Sequence, residues 1–312
     1  MVRPTNAWLL SEDYAGLWSQ ATGLAEAAGL SAERRVLVPR GIFRVLSPKL
    51  WPRPQRAIAP QALAPPLPEI VIGCGGKAAA VLATLHGVTR TVIIQHPRMD
   101  PRRFDLIVAA RHDELEGPNV FVTRTALHRA TPARLAAAAP AWAPRFADLP
   151  RPLVAVLLGG SNGRFRLDRA AAAALAERLA GMMAADRVGL AITPSRRTDP
   201  AAVAALSARL RPRGAYLWDG TGENPYFGML GLADAIVVTT DSVSMISEAV
   251  ATAAPVMVAA LPGRSRRIAL FLRGLIDAGR VRPYEGRFAH WRVAPLDDTP
   301  AAAAELVRRF GY

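Results

Sequence analysis

The 312-residue chain has one cysteine, Cys74, and two lysines, Lys49 and Lys77. A single thiol excludes an intramolecular disulfide and any multi-cysteine metal site, and fits a reducing compartment. The histidines lack zinc-ligand spacing, so no metal is expected. No apolar run reaches the length of a membrane-spanning helix, and Arg3, Pro4, Glu12 and Asp13 interrupt the N-terminus before a signal-type core can form. The expectation is an unprocessed cytoplasmic protein, peripheral at most on the inner face of the cytoplasmic membrane. Heptads and internal repeats are absent too, which leaves the oligomeric state unread.

With so few lysines, the net charge of +14 rests on arginine. Such an excess attracts polyanions: nucleic acid, acidic phospholipid or phosphate-bearing substrates. A basic block with interleaved aromatics, the mark of a nucleic-acid surface, is missing, so nucleic acid is not an expected partner. The compositional alternative is an arginine-biased genome, which the abundant alanine and proline also suggest.

What is present is an alternation of strands and helices, in a chain long enough for two domains with a core each. In the first half the pattern predicts strands at 6–10, 35–38, 69–72, 91–95 and 105–110, with an alanine-rich helix over 22–30. A proline-rich stretch, 41–68, mixes Ile42, Phe43, Val45, Leu46, Leu50 and Trp51 with Arg44, Lys49, Arg53 and Arg56. That mixture suits either a bilayer surface or a loop packed on its own domain. An alanine- and proline-rich stretch at 136–150 reads as a linker. Beyond it, strands at 153–158, 188–193, 215–218, 235–238 and 255–260 alternate with helices at 169–184 and 201–210. The expected fold class is α/β, two Rossmann-like doubly wound domains facing each other across a cleft. The expected domains are 1–148 and 149–296, with a terminal helix in 297–312 packing back on the first.

The most legible stretch is Asp219 to Ala249. Asn224 and Pro225 mark a helix start, and Ala235 to Val238 is a strand buried on both faces. It ends in Thr239, Thr240, Asp241 and Ser242, which open the next helix at the sheet's carboxyl edge. That edge, with free amides and a positive dipole end, suits a diphosphate, and Glu248 one turn on could reach a sugar hydroxyl. Gly159 to Gly163 and Pro194 to Thr198, which includes Ser195 and Arg196, lie at neighbouring strand ends. In the first half, Gly73, Gly75 and Ala78 satisfy a loose dinucleotide pattern. Its confirming acidic residue is replaced by Gln95, and Lys77 is followed by Ala, so neither a nicotinamide cofactor nor a P-loop is expected. Gly16, Gly75, Gly76, Lys77, Gln95 and Arg98 are expected to form the opposing wall.

The turn Gly159, Gly160, Ser161, Asn162, Gly163 and the later Asp241, Ser242, Val243, Ser244, Ser247, Glu248 resemble elements of GT-B glycosyltransferases. The likeness is to the enzymes that add N-acetylglucosamine to the peptidoglycan lipid precursor. The resemblance implies that the glycine turn touches the sugar or diphosphate and that the Ser-Glu helix holds diphosphate and ribose. A broader resemblance covers most of the chain. The segments 95–129, 192–198, 218–249 and 295–300 look like the mitochondrial-fission family, named after a plant elongated-mitochondria protein and found in bacteria. That family's usual Asp-Gly near the start is replaced here by Glu12-Asp13.

Three readings follow. The first is a metal-independent glycosyltransferase with no cofactor and a nucleotide-diphosphate sugar as substrate. Ser242 to Ser244 and Arg164 or Arg196 would meet the diphosphate, and His96 or Asp13 would be the catalytic base for an envelope or lipid-linked acceptor. The second is a non-catalytic binding protein working through protein partners, as the mitochondrial-fission resemblance implies. The third is a nucleotide-sugar epimerase, for which Asp219 and Glu223 are the available carboxylates, although their setting also suits a turn.

Overall fold

The structure, a computed structural model, describes residues 6–312. Arg3 and Pro4, on which part of the N-terminal reading rests, lie outside the described residues. The chain divides into two compact units, one comprising residues up to Arg129 together with Asp297–Tyr312, the other Ala130–Leu296.

The first unit contains β1 (Asn6–Ser11), α1 (Ala15–Ala27), β2 (Ser31–Val36), α2 (Pro54–Ala57), β3 (Ile70–Cys74), α3 (Gly76–Leu82), β4 (Arg90–Ile94), β5 (Leu106–Ala110) and β6 (Val120–Thr123). Its sheet runs β2-β1-β3-β4-β5-β6, with every pairing parallel. The inner strands read as continuous apolar runs because both faces are covered. Trp8, Leu10, Val71 and Ile93 pack into one cluster, whereas Ala7, Leu9, Ile70 and Ile72 pack into another. Burying each such Leu or Ile contributes on the order of 2 kcal/mol, which fixes the register, since a one-residue slip would exchange the faces.

The second unit follows with α4 (Pro132–Trp142), β7 (Leu153–Leu158), α5 (Arg169–Asp186), β8 (Gly189–Pro194), α6 (Pro200–Leu210), β9 (Tyr216–Leu217), α7 (Tyr226–Leu232), β10 (Ala235–Thr239), α8 (Val243–Val250), β11 (Val256–Ala259), α9 (Arg266–Asp277) and β12 (Val281–Pro283). The sheet order is β12-β11-β10-β7-β8-β9, again all parallel. The chain then returns to the first unit as α10 (Thr299–Phe310), whose Ala302, Ala303 and Leu306 join Trp18 and Leu24 in one cluster.

Several elements differ from the sequence expectation. Helix α1 begins at Ala15, before the alanine-rich part. β2 lies at 31–36 rather than 35–38, because as an edge strand with an exposed face it carries no apolar signal. The stretch at 136–150 is not a free linker. Thr131 caps α4 by accepting the Arg134 amide at 3.2 Å, and Trp142 and Phe146 are buried in the second core. Gly228 on α7 is required there, since a Cβ would stand 2.3 Å from the Trp142 ring. α9 and β12 lie in a stretch left unassigned, α9 because it buries only Phe271 and Leu275 among arginines.

Asp297 and Asp298 hold the returning chain. Arg124 donates to Asp298 from its amide and from Nε at 3.1 Å, and His128 Nε2 lies 3.3 Å from Asp297. Burial opposes ionisation of Asp298, but the Arg124 hydrogen bonds outweigh it and hold the carboxyl below the usual carboxylate range.

Candidate functional site

In the second unit the chain leaves β7 for β8 on one side and later returns to β10 on the other. The carboxyl ends of β7 and β10 therefore flank the topological switch point, where open α/β sheets bind their ligands. Small residues end both strands: Gly159 and Gly160 after β7, and Thr239 to Ser242 after β10.

Asp241 holds this edge together. Its side chain is fully buried and accepts from the Gly160 amide at 3.0 Å, the Thr239 hydroxyl at 2.7 Å and Arg197 Nη2 at 3.1 Å. Thr239 in turn accepts the Gly159 amide at 2.8 Å. Ser195 Oγ donates to the Gly159 carbonyl at 2.7 Å, and Thr198 donates to the same oxygen. A Cβ on Gly159 would sit 2.2 Å from the Asp241 carboxylate, and one on Gly160 2.2 Å from the Arg197 carbonyl. The glycine pair is thus explained by close approach within the protein. Asp241, expected to meet a ligand, has no surface left for one and instead positions the two loops.

The remaining turn residues are exposed. Asn162 Oδ1 accepts the Arg164 and Phe165 amides at 2.9 and 3.0 Å, and Ser161 Oγ accepts the Leu167 amide at 3.0 Å. Arg164 and Arg196 project to solvent, and among the described residues neither is in an ion pair. Arg197, rather than Arg196, is the cation drawn into the Asp241 network.

Ser242 caps α8, its Oγ accepting the Met245 amide at 3.4 Å. The Val243 and Ser244 amides in the first turn have no intrahelical acceptor, as at any helix start, and they carry the positive end of the helix dipole. Ser244 is half-buried, whereas Ser247 and Glu248 are buried. Glu248 accepts from the Tyr226 hydroxyl at 2.5 Å. Burial and then the Glu248 charge push the Tyr226 phenol well above its ordinary value, so the proton stays on Tyr226. Tyr226 opens α7, and its amide is taken by Asn224 Oδ1 at 3.0 Å. At the far end of α8, the buried Arg280 donates to the carbonyls of Val250 at 3.1 Å, Thr252 at 2.6 Å and Ala254 at 3.1 Å. Sequence reasoning missed Tyr226 and Arg280. The Asn-Pro helix start was a signal for the first, whereas nothing distinguishes Arg280 from the other arginines.

The first unit has its own switch point, between β1 and β3. Ser11 Oγ donates to the Cys74 carbonyl at 3.3 Å, and burial pushes the Cys74 thiol up and keeps it protonated. Lys77 pairs with Glu12 at 2.6 Å, both side chains about one fifth exposed at 21% and 22%. Gly75, at φ 93°, turns the chain into α3, which Gly76 opens. The Gly16 carbonyl accepts Gln20 Nε2 at 3.0 Å, and Gln95 Nε2 lies 3.5 Å from Gln20 Oε1. Gln95 and Arg98 both adopt positive φ, 76° and 58°, a backbone region that non-glycine residues seldom enter. His96 Nδ1 accepts the Arg98 amide at 2.9 Å, so the neutral ring carries its proton on Nε2. That bond occupies the Nδ1 lone pair, one of the two ring positions from which His96 could act as the expected base. Asp13 is exposed and accepts from Trp18 Nε1 at 3.1 Å. His112 and His128 are buried, in keeping with structural roles.

The family profile for mitochondrial fission ELM1 matches residues 15–310. The chain belongs to that family. It is 33% identical over 273 residues to the mitochondrial fission protein ELM1 of Arabidopsis thaliana, an alignment covering 77% of this chain and 64% of the plant protein. The chain thus spans less than two thirds of that relative's length. Among solved structures, this ELM1-family chain resembles the glycosyltransferase SnogD from Streptomyces nogalater, with TM-score 0.57 and 15% identity over 99% of this chain and 95% of the other. It also resembles MurG of Acinetobacter baumannii, with TM-score 0.52 and 14% identity over 98% and 90%. The UDP-GlcNAc 2-epimerase from Methanocaldococcus jannaschii gives TM-score 0.59 and 11% identity over 98% and 99%. At these identities the likeness establishes the fold, an α/β pair of Rossmann-like domains of the GT-B glycosyltransferase and epimerase kind.

Proposed function

We propose that the second unit binds a nucleotide-diphosphate sugar at the β7/β10 edge, and that the protein is a metal-independent glycosyltransferase using an envelope or lipid-linked acceptor. The observation that carries this is the Asp241 network. It satisfies the buried polar groups of the edge internally, and it leaves Arg164 and Arg196 exposed and the first turn of α8 half-buried. The Val243 and Ser244 amides and one of those arginines would meet the negative charge that develops on the departing diphosphate. Glu248, oriented by the Tyr226 hydroxyl, would accept from the ribose. Neighbours of this fold include an epimerase solved in complex with UDP-GlcNAc and UDP, which supports a UDP-sugar as the first ligand to test.

A non-catalytic adaptor is the second reading, in keeping with membership of a family named for mitochondrial fission and not for a reaction. The epimerase reading is weaker. Asp219 is held in its own turn by the Thr221 amide and hydroxyl at 2.9 and 2.7 Å, and these bonds keep its carboxyl below the usual range, ionised and unable to give a proton.

Thermal shift with a panel of UDP- and GDP-sugars, followed by donor-hydrolysis assays, separates the readings. A rise in Tm that is lost in Glu248→Gln supports the donor site. If no nucleotide raises Tm, the donor reading fails and the adaptor reading stands.

A further inference from the structure

Within the first unit, the proline-rich stretch after β2 packs as a folded surface with two unlike sides. Phe43 and Leu46 pack on the core, and Trp51 is buried, its Nε1 donating to the Leu46 carbonyl at 3.1 Å while Phe43 meets its ring edge-on at 5.9 Å. Ile42 and Val45, three residues apart in a 3₁₀ turn and so on one side of it, point the other way, 69% and 88% exposed. Leu50 is 64% exposed. With Val36, Val38 and Leu67, this window holds six of the ten large apolar side chains exposed among the described residues.

The charge of the same window is one-sided. No Asp or Glu occurs from Arg34 through Pro68. Arg40, Arg44, Lys49, Arg53 and Arg56 are exposed, and among the described residues none of the five is in an ion pair. Their long stems let the charged heads stand at one level while the aliphatic tips reach below it. Exposed apolar tips interleaved with unpaired cations complement an interface that is anionic at its surface and apolar beneath. Nucleic acid fits poorly, because the aromatic rings that would stack on bases are turned inward.

We propose that the face carrying Ile42, Val45 and Leu50 with these five cations docks on a bilayer of anionic phospholipid. The inference is independent of the donor-site reading, since no residue of the second unit takes part.

The test is flotation of the full chain with phosphatidylcholine vesicles, with and without phosphatidylglycerol, in the absence of nucleotide. Binding is expected only with phosphatidylglycerol, and it should weaken as salt rises. Ile42→Asp/Val45→Asp should lower partitioning about tenfold or more. Arg40→Glu/Arg44→Glu should lower it by at least roughly fivefold for each cation removed. All four positions are exposed, and an unchanged Tm confirms that the variants fold. Val88→Asp, at an exposed valine outside the window, should float as the parent does. Absence of flotation at low salt overturns the proposal, as does an Ile42→Asp/Val45→Asp variant that floats like the parent. Tighter binding to polyglutamate than to vesicles overturns it in favour of an acidic protein partner.

Discussion

The two switch points are built from the same parts and closed in different ways. Each lies where a parallel sheet reverses its direction of winding, and each has a glycine pair at a strand end. In the first unit the charged contact is the Lys77–Glu12 pair, partly exposed on both sides. In the second it is a fully buried carboxylate on which two loops and a strand end converge. A fully buried, satisfied network fixes geometry because each of its groups is costly to leave unmet, whereas an ion pair that keeps some contact with water fixes less. The second edge is therefore the one whose geometry is fixed by the protein's own contacts. The first concentrates its unusual backbone, at Gln95 and Arg98, in a loop.

Substitutions can break that contrast. The largest effect is expected at Arg280→Met, which leaves the carbonyls of Val250, Thr252 and Ala254 at and beyond the end of α8 without their donor and should cost about 3 kcal/mol, read as a fall in the urea midpoint. Asp241→Ala should cost about 2–3 kcal/mol, because the Gly160 amide and the Thr239 hydroxyl lose their acceptor. Asp298→Asn should cost about 1–2 kcal/mol at neutral pH. The Asp298 carboxyl is depressed in the folded state, so its contribution is full above the unfolded value of about 3.9 and is lost as pH falls below it. The gap between parent and Asp298→Asn should therefore narrow on acidification, which urea titrations across that range will show. Glu12→Gln should cost under about 1 kcal/mol, and a cost equal to that of Asp241→Ala would erase the difference between the two edges.

The sequence revealed most where burial is complete on both faces. β7 and β10, with their apolar runs, and the turns that follow them could be placed within a residue or so. β2 could not, because an edge strand with an exposed face has no apolar period to read. The linker expectation at 136–150 failed for a related reason. Alanine and proline look like a spacer until Trp142 and Phe146 are seen to anchor them. At the second edge, the helix start at Ser242 and the place of Glu248 on that helix were legible from local order along the chain. The enclosure of Asp241 was not, since it depends on Gly160 and Arg197, which lie far away in sequence and reach it only through the sheet.

The most direct test of the central claim is calorimetric titration of the protein with UDP and, separately, with uridine. If the α8 start and its neighbouring arginines form a diphosphate site, UDP should bind at least about tenfold more tightly than uridine, and Glu12→Gln should leave that ratio unchanged. Equal affinity for the two, or no binding of UDP, would contradict the account.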